Sequence, residues 1–351
     1  MFEFFEFEKL RNKSSVVGID LGTTYIKVVE LGLVGRVPTL VNYGQAELGF
    51  SEGKGVFQIQ APEEKVRVHL RALLRKMKIT EASVCLALPA GSGLLTVIEM
   101  PPMNAKELEG AIRFEAPKYI PIPLEEVVLS WEIIRPSRNP NEKMQILLVA
   151  ALDKDIARYE SYLHGQPLSL ELLELEIFSL VRSSVDDMSK NWMLIDIGSR
   201  ITNIISVEHG TVTANRTLNS GGNEITNTLM ESLRVSWTRA EQLKKGTNDY
   251  FHQQGAPLVF PALEMIRYEA KRLIETAQKQ NQSIDGVILS GGSGRMKGLD
   301  QYISDALQLP VTFANPWARV RFPERLRPAI EQYGSSFSIA IGLALGGLDQ
   351  K

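Results

Sequence analysis

Val16-Val17-Gly18-Ile19-Asp20-Leu21-Gly22-Thr23-Thr24, running on to Lys27-Val28-Val29-Glu30-Leu31-Gly32, is a β-branched run that meets an Asp-x-Gly turn rich in hydroxyls and then resumes as a strand. The same design returns at Leu194-Ile195-Asp196-Ile197-Gly198-Ser199-Arg200-Ile201-Thr202, running on to Ser206-Val207-Glu208-His209-Gly210, with two more residues between the Asp and the last Gly. Each copy reads as a hairpin. The strand end sets a carboxylate at the lip of a cleft. The Gly lets the backbone turn closely, so that successive N–H groups face phosphate oxygens. One Asp-x-Gly is ordinary turn composition. Two in the same context point to a polyphosphate gripped from both sides. Asp20 and Asp196 would then hold Mg²⁺ through its waters, since Mg²⁺ takes one or two carboxylates plus substrate phosphates.

A third element follows at Val287-Ile288-Leu289-Ser290-Gly291-Gly292-Ser293-Gly294-Arg295-Met296-Lys297-Gly298-Leu299. A buried strand meets a Gly-rich turn and a helix, where a flat ring or a phosphate could approach the backbone. A strand-to-helix turn that needs positive φ is the alternative. The dinucleotide fingerprint does not fit, because the last Gly of G-x-G-x-x-G, counted from Gly292, falls on Lys297. No G-x-x-x-x-G-K-[ST] occurs either, which argues against a P-loop NTPase.

The whole chain sets bounds on these readings. Its 351 residues suggest two lobes or more. Lys and Arg (39) nearly cancel Asp and Glu (41), so no overall field points to nucleic acid or an anionic membrane. Cys85 is the only cysteine, which excludes an internal disulfide framework and a Cys-based zinc site and fits a reducing compartment. It sits in an apolar run and reads as a small buried hydrophobe. Residues 1–13 alternate Phe and Glu without an apolar core, unlike a signal peptide. No run reaches the roughly 20 apolar residues of a spanning helix. Residues 337–348 read as a packed core helix instead.

Periodicity predicts helices over 63–77, 153–164, 176–185, 221–233, 239–245, 261–279 and 299–307. Strands are expected over 83–88, 94–99, 127–134, 145–152, 193–197, 203–208 and 286–290, with 168–173 a strand or a helix approach. Asn104 with Glu107 has capping-box spacing, and Pro117 should end that helix at Ala116. Phe2, Phe4, Phe5 and Phe7 read as an apolar strand edge. Such an edge could pair with a partner or fold onto its own lobe.

The three elements, in this order, resemble the phosphate-1, phosphate-2 and adenosine motifs of the actin, sugar-kinase and heat-shock-chaperone superfamily. That resemblance implies an α/β fold of actin-like (ribonuclease H-like) duplicated lobes with a nucleotide cleft between them, holding ATP and Mg²⁺. It puts Asp20, Gly22, Thr23 and Thr24 in the first phosphate loop, and Asp196, Gly198 and Thr202 in the second. Gly291, Gly292 and Gly294 would flank the adenosine, with Glu241 and Lys244 contacting the nucleoside. A solvated amphipathic face explains those last two equally well. Asp20 and Asp196 are the metal candidates.

Within the superfamily the chain is similar to the PilM family of type IV pilus assembly. The residues that carry this are Ile98-Glu99-Met100-Pro101-Pro102-Met103, Arg113-Phe114-Glu115-Ala116 and Tyr119-Ile120-Pro121-Ile122-Pro123-Leu124-Glu125-Glu126-Val127. They sit where PilM and the division protein FtsA carry an inserted 1C subdomain. The implied layout is a tail (1–13), subdomain 1A (14–92 and 166–190), subdomain 1C (93–165) and a second lobe with subdomains 2A and 2B (191–351). The family implies a cytoplasmic protein, peripheral at the inner membrane, that binds the cytoplasmic N-terminal peptide of a PilN-like membrane protein and works with other pilus assembly proteins. The Phe-rich tail carries Glu3, Glu6 and Glu8 where a basic tail is expected, which speaks against direct lipid contact. Tyr119, Ile120, Ile122 and Leu124, stiffened by two prolines, form either a ridge for an extended peptide or a loop packed on its own subdomain.

Three functions stay open. One is a nucleotide-gated scaffold. Another is an ATPase or small-molecule kinase, for which the FtsA likeness offers Glu176 to orient a nucleophile. The third is an FtsA-like division filament that self-associates; the chain stops after its apolar helix without a terminal membrane helix, which argues against that reading. No nucleic-acid partner and no transmembrane segment are expected.

Overall fold

The computed structural model describes residues 3–6, 15–48, 62–139, 141–252, 258–279 and 281–350. The chain opens with β1 (Glu3–Glu6), β2 (Val16–Leu21), β3 (Tyr25–Val34), β4 (Val37–Glu47), α1 (Glu63–Lys76) and β5 (Ala82–Leu88). It then leaves the sheet for β6 (Gly93–Met100), α2 (Ala105–Glu115), β7 (Val127–Arg135), β8 (Met144–Leu152) and α3 (Asp153–Ser161), and returns as β9 (Leu168–Leu175) and α4 (Glu176–Ser184). The first sheet has the order β1-β4-β3-β2-β5-β9, and the excursion builds its own antiparallel sheet, β6-β8-β7. Asn104 caps α2 with the expected box, its side chain accepting from Lys106 and Glu107 N–H. The α-helix ends as expected, with Ala116 as its C-cap before Pro117. A 3₁₀ turn continues over 116–118, because Pro is tolerated in a first helical turn.

The second half contains β10 (Asn191–Ile197), β11 (Thr202–Glu208), β12 (Thr211–Leu218), α5 (Gly222–Leu233), α6 (Trp237–Lys244), α7 (Pro261–Lys279), β13 (Gly286–Ser290), α8 (Leu299–Leu307), β14 (Val311–Phe313), α9 (Arg327–Tyr333) and α10 (Ser338–Asp349). Its sheet order, β12-β11-β10-β13-β14, repeats β4-β3-β2-β5-β9, with two antiparallel pairings and then two parallel ones. The repeat seen in two short motifs therefore extends over both sheets. β12, β14 and α9 go beyond the expected elements. β12 follows a tight turn with positive φ at His209 and Gly210, the type I′ pattern that matches strand twist.

β1 joins the exposed side of the chain's own β4, with Phe4 opposite Gly44 and Phe5 opposite Tyr43. The tail strand thus covers its own sheet edge; Phe2 and Phe7 lie outside the described residues.

Four apolar cores hold the molecule. One lies beneath the first sheet against α1 and α4 and runs on into the second sheet at Leu194, Ile205, Val207 and Ile288. Another joins the second sheet to α7 and α8. The inserted sheet packs on α2. The fourth brings the end of the chain back to the first sheet. Trp317, Val320, Leu326, Ile330, Phe337 and most of α10 pack against Val16, Val29, Leu31, Tyr43 and Cys85 of the first sheet. The end of the chain covers the first lobe, because that sheet has a second apolar face to bury. Residues 337–348 are a packed core helix, as read, and no helix among the described residues is long and apolar enough to cross a membrane.

Close approach makes this packing possible. A Cβ on Gly342 of α10 would stand 1.9 Å from the Ser179 carbonyl oxygen of α4. Elsewhere a buried lysine ties α6 to α5: Lys244 Nζ donates to Gly222 O (2.9 Å), Thr226 Oγ1 (2.8 Å) and Glu241 Oε2 (2.7 Å). Burial alone would raise the Glu241 carboxyl. The Lys244 ammonium, with Thr226 and Lys245, overrides this and holds it at about 2.

Gly342→Ala should cost about 1–3 kcal/mol of stability, the range for overpacking a tight core, read as a lower thermal midpoint. For Glu241, a folded-state value below the usual carboxylate range gives stability that is complete above the unfolded value and lost as pH falls toward the folded one. The stability gap between wild type and Glu241→Gln in urea should therefore narrow as pH drops from about 5 to about 2. A gap constant with pH would count against this account.

Candidate functional site

Both hairpins place their acid in the same way. Asp20 is registered with Lys27 across β2 and β3, and Asp196 with Asn203 across β10 and β11. Cross-strand partners share a face of the sheet, so Lys27 and Asn203 stand beside the two carboxylates. Lys27 Nζ lies 3.3 Å from Asp20 Oδ2. The turns are built alike: a Cβ on Gly22 would stand 2.8 Å from the Tyr25 carbonyl oxygen, and one on Gly198 would stand 2.8 Å from that of Ile201. The N-terminus of α5 clamps the second turn, with Gly222 N–H donating to Gly198 O (2.8 Å) and Asn223 N–H to Ser199 O (2.7 Å).

The two turns meet. Ser199 Oγ lies 2.9 Å from Thr23 Oγ1 and 2.7 Å from Thr24 Oγ1. Around this contact opens a cleft of ≈ 600 Å³, which Asp20, Gly22, Thr23, Thr24, Glu176 and Asp196 line. Gly198, Glu241, Lys244, Gly291 and Gly292 line it too. The size suits a small-molecule site. Gly292 presents open space, since an added Cβ would meet nothing within 4 Å.

Two expected loop residues do not reach the cleft. Thr202 is buried and its hydroxyl donates to Ser220 O at 2.7 Å. Successive strand residues face opposite ways, and Asn203 holds the face that Asp196 shares. Gly294 packs inward, where a Cβ would lie 2.3 Å from Ser290 O. Lys244 lines the cleft with its donors already engaged, as above. The residues of the apolar ridge sit apart, on the inserted unit. Tyr119 is 42% exposed and its neighbour Phe114 78%. Ile120, at 3%, belongs to the core of the inserted sheet, with Ile122 and Leu124 packed partly against it, because that core needs apolar cover at its end.

The cleft concentrates acid. Burial raises the Asp20 carboxyl, opposed by the Lys27 charge and hydrogen bond. Burial pushes Asp196 up to about 6, opposed by Ser290 and Lys27 and assisted by Asp20. Glu176 is pushed up to about 7, again chiefly by burial, although Ala90 N–H (3.1 Å) and Asn203 Nδ2 (2.7 Å) donate to its Oε1. Tyr159, from α3 of the inserted unit, completes the wall. Burial, with Glu176 nearby, raises its phenol, so it stays neutral. Among the described residues no three His, Cys, Asp or Glu side chains are grouped as metal ligands. A cation here would rest on the two aspartates plus oxygens from a ligand or water.

Sequence reasoning missed Lys27, Asn203, Ser199 and Tyr159. The first two stand seven residues beyond their aspartates, which is a signal only once each hairpin's register is fixed. Ser199 lay within the motif as read. Nothing local marks Tyr159, which arrives by tertiary packing.

Comparison with known proteins supplies the family. A structure described as the PilM–PilN type IV pilus biogenesis complex is similar over 96% of this chain and 99% of that one, with a TM-score of 0.79 and 25% identity. The ethanolamine utilization protein EutJ from Carboxydothermus hydrogenoformans is similar in fold over 96% of this chain and 91% of its own, at 17% identity and TM-score 0.56. MreB5 of Spiroplasma citri bound to ADP is similar over 95% of both chains, at 15% identity and TM-score 0.50. These likenesses establish the actin-like fold of duplicated lobes. The cell division protein FtsA of Bacillus subtilis (strain 168) is 27% identical over a segment that spans 40% of this chain and 38% of that protein's length. Residues 18–348 match the family model described as type IV pilus assembly protein PilM, and the chain belongs to that family.

Proposed function

We propose that this protein is an ATP- and Mg²⁺-binding scaffold of type IV pilus assembly. Its partner would be the cytoplasmic N-terminal peptide of a PilN-like membrane protein, which would hold it, with other pilus assembly proteins, at the cytoplasmic face of the inner membrane. The observation that carries the nucleotide reading is the meeting of two like-built Asp-x-Gly turns in one cleft, hydroxyl against hydroxyl, with Asp20 and Asp196 behind them. The donor set fits a metal–polyphosphate: two buried carboxylates, one ammonium and three hydroxyls on two turns. Bound there, the cation would offset the two carboxylates and the polyphosphate together. Asp20, Gly22, Thr23, Thr24 and Lys27 would act from one side, and Asp196, Gly198, Ser199 and Asn203 from the other. Gly291 and Gly292 would flank the base. The ADP-bound MreB5 of Spiroplasma citri shares the fold and supports a nucleotide at this place.

The layout follows the same reading. Residues 14–92 and 166–190 with the returning 317–348 would form the first lobe, 93–165 an inserted 1C-type unit, and 191–316 the second lobe. The inserted unit would take the partner. The similar structure described as a PilM–PilN complex supports a PilN-type ligand. Phe114 and Tyr119 offer exposed aromatic anchors of the kind that dominate interfaces. Glu176 links the two functions. It faces the cleft and accepts from Ala90 N–H, which lies where the chain passes from β5 into the inserted sheet. A ligand with different affinity for two settings of this junction would shift the partner surface. Held near neutrality, Glu176 can also position a water, which makes slow ATP hydrolysis the second reading.

Calorimetry with ATP and Mg²⁺ should give binding that Asp20→Ala/Asp196→Ala weakens by at least about tenfold, or about 1.4 kcal/mol. No heat from well-folded wild type would sink the nucleotide reading. A synthetic peptide with the N-terminal sequence of the cognate PilN should bind about tenfold more weakly to Phe114→Ala/Tyr119→Ala. Equal peptide affinity with and without ATP would refute the coupling while leaving both sites standing.

A further inference from the structure

The hairpin between β3 and β4 ends in Leu33-Val34-Gly35-Arg36-Val37, five consecutive exposed residues. Leu33 and Val34 are each 40% exposed and Val37 is 37% exposed. Neighbouring strand residues face opposite ways, so exposure of both faces at once means that the tip stands clear of the body. Apolar side chains at such a place find incomplete cover among the described residues. Between two of them sits Arg36.

A second segment joins the base of this hairpin. Leu40 N–H donates to Arg321 O and Arg321 N–H to Pro38 O, both at 2.8 Å. Residues 319–327 read Arg-Val-Arg-Phe-Pro-Glu-Arg-Leu-Arg, four arginines against one acid, and all four arginines are exposed. Glu324 is engaged by Arg327 at 2.8 Å. Arg321 and Arg327 also line a cleft of ≈ 500 Å³, whose acidic member is Glu331. At about 3.3 Å per strand residue, Arg36 stands roughly 10 Å from Thr39, where Arg321 bridges to β4. Two of the tail acids lie further along β4, with Glu6 opposite Asn42 and Glu3 opposite Gln45.

We propose that this tip and its arginines form a docking surface for an anionic lipid bilayer. Leu33, Val34 and Val37 enter the headgroup boundary, while Arg36 and the arginines of 319–327 meet lipid phosphates. An apolar tip with a cationic flank is what an interfacial surface requires. Charge complementarity selects the occupant, since the apolar residues are few and the cations many. The near-neutral net charge of the chain conceals this local excess. The proposal is independent of the nucleotide and peptide readings.

Co-sedimentation of the full chain with vesicles tests it. Vesicles of equal phosphatidylglycerol and phosphatidylcholine should capture the protein, and phosphatidylcholine alone should capture far less. Added salt should weaken capture. Arg36→Glu/Arg321→Glu should lower affinity for the mixed vesicles by about 25-fold, from about fivefold for each arginine lost. Leu33→Ser/Val34→Ser should lower it as well, and circular dichroism should show both variants folded. Absence of wild-type binding, or equal binding by all variants, would overturn the proposal. Loss by the arginine variant alone would mean a purely electrostatic contact and overturn insertion of the tip. Self-association that the serine variant abolishes, without vesicle binding, would assign the tip to a second copy of the chain.

Discussion

Two carboxylates, Asp20 and Asp196, are buried at the ends of equivalent strands in one cleft, with Glu176 close by and Lys27 as the ammonium beside Asp20. Such a grouping is costly, because desolvation and mutual repulsion both oppose ionisation. It persists because each acid is fixed at the end of a strand that is itself largely apolar and buried. The contact between lobes at this point is made by neutral hydroxyls, Thr23 and Thr24 against Ser199. Charge therefore does not close the cleft by itself. A lip joined by neutral hydroxyls can be biased by a charged ligand that favours one state.

The duplicated design was legible because its motif residues are constrained together. A carboxylate, a tight turn and hydroxyls recur only where the same geometry recurs. What was not legible was direction. Thr202 and Asn203 are both plausible phosphate ligands by type, and only the register of β10 with β11 decides that Asn203 shares the face of Asp196. Gly294 looked like Gly292, yet one packs inward and the other faces open space. Ile120 read equally as part of a surface ridge or of a loop packed on its own subdomain, because Pro121 and Pro123 stiffen either. Its burial in the core of the inserted sheet decides between them. Lys244 was hidden differently. A lysine on a polar helix reads as solvated, and nothing in the sequence reveals that three acceptors await it.

Order along the chain also misled. The apolar character of α10 identified a core helix, but not which core. A sheet with helices on both faces needs more apolar cover than its own segment supplies. The first sheet draws that cover from the end of the chain. The edge strands β12 and β14 escaped notice for a related reason. Edge strands lack a continuous apolar run, and β12 carries mostly polar residues.

The return of the chain has a mechanical consequence. Two passages connect the lobes, one from α4 into β10 and one from β14 to Trp317. Relative motion must pivot about both, which favours small hinge or shear displacements over wide opening. The second passage also touches the site. Ser290, at the end of β13, donates to Ser338 Oγ at the start of α10 (3.3 Å), and Ser335 donates to Gly291 O (3.4 Å). Any shift of the glycine turn is thus felt at the N-terminal end of α10. The other end of the cleft, through Glu176 and Ala90, is tied to the entrance of the inserted sheet. A displacement at the centre is therefore divided between two followers, a helix packed on the first sheet and the inserted sheet, which also meets the second half of the chain where Arg135 lies 3.9 Å from Glu208.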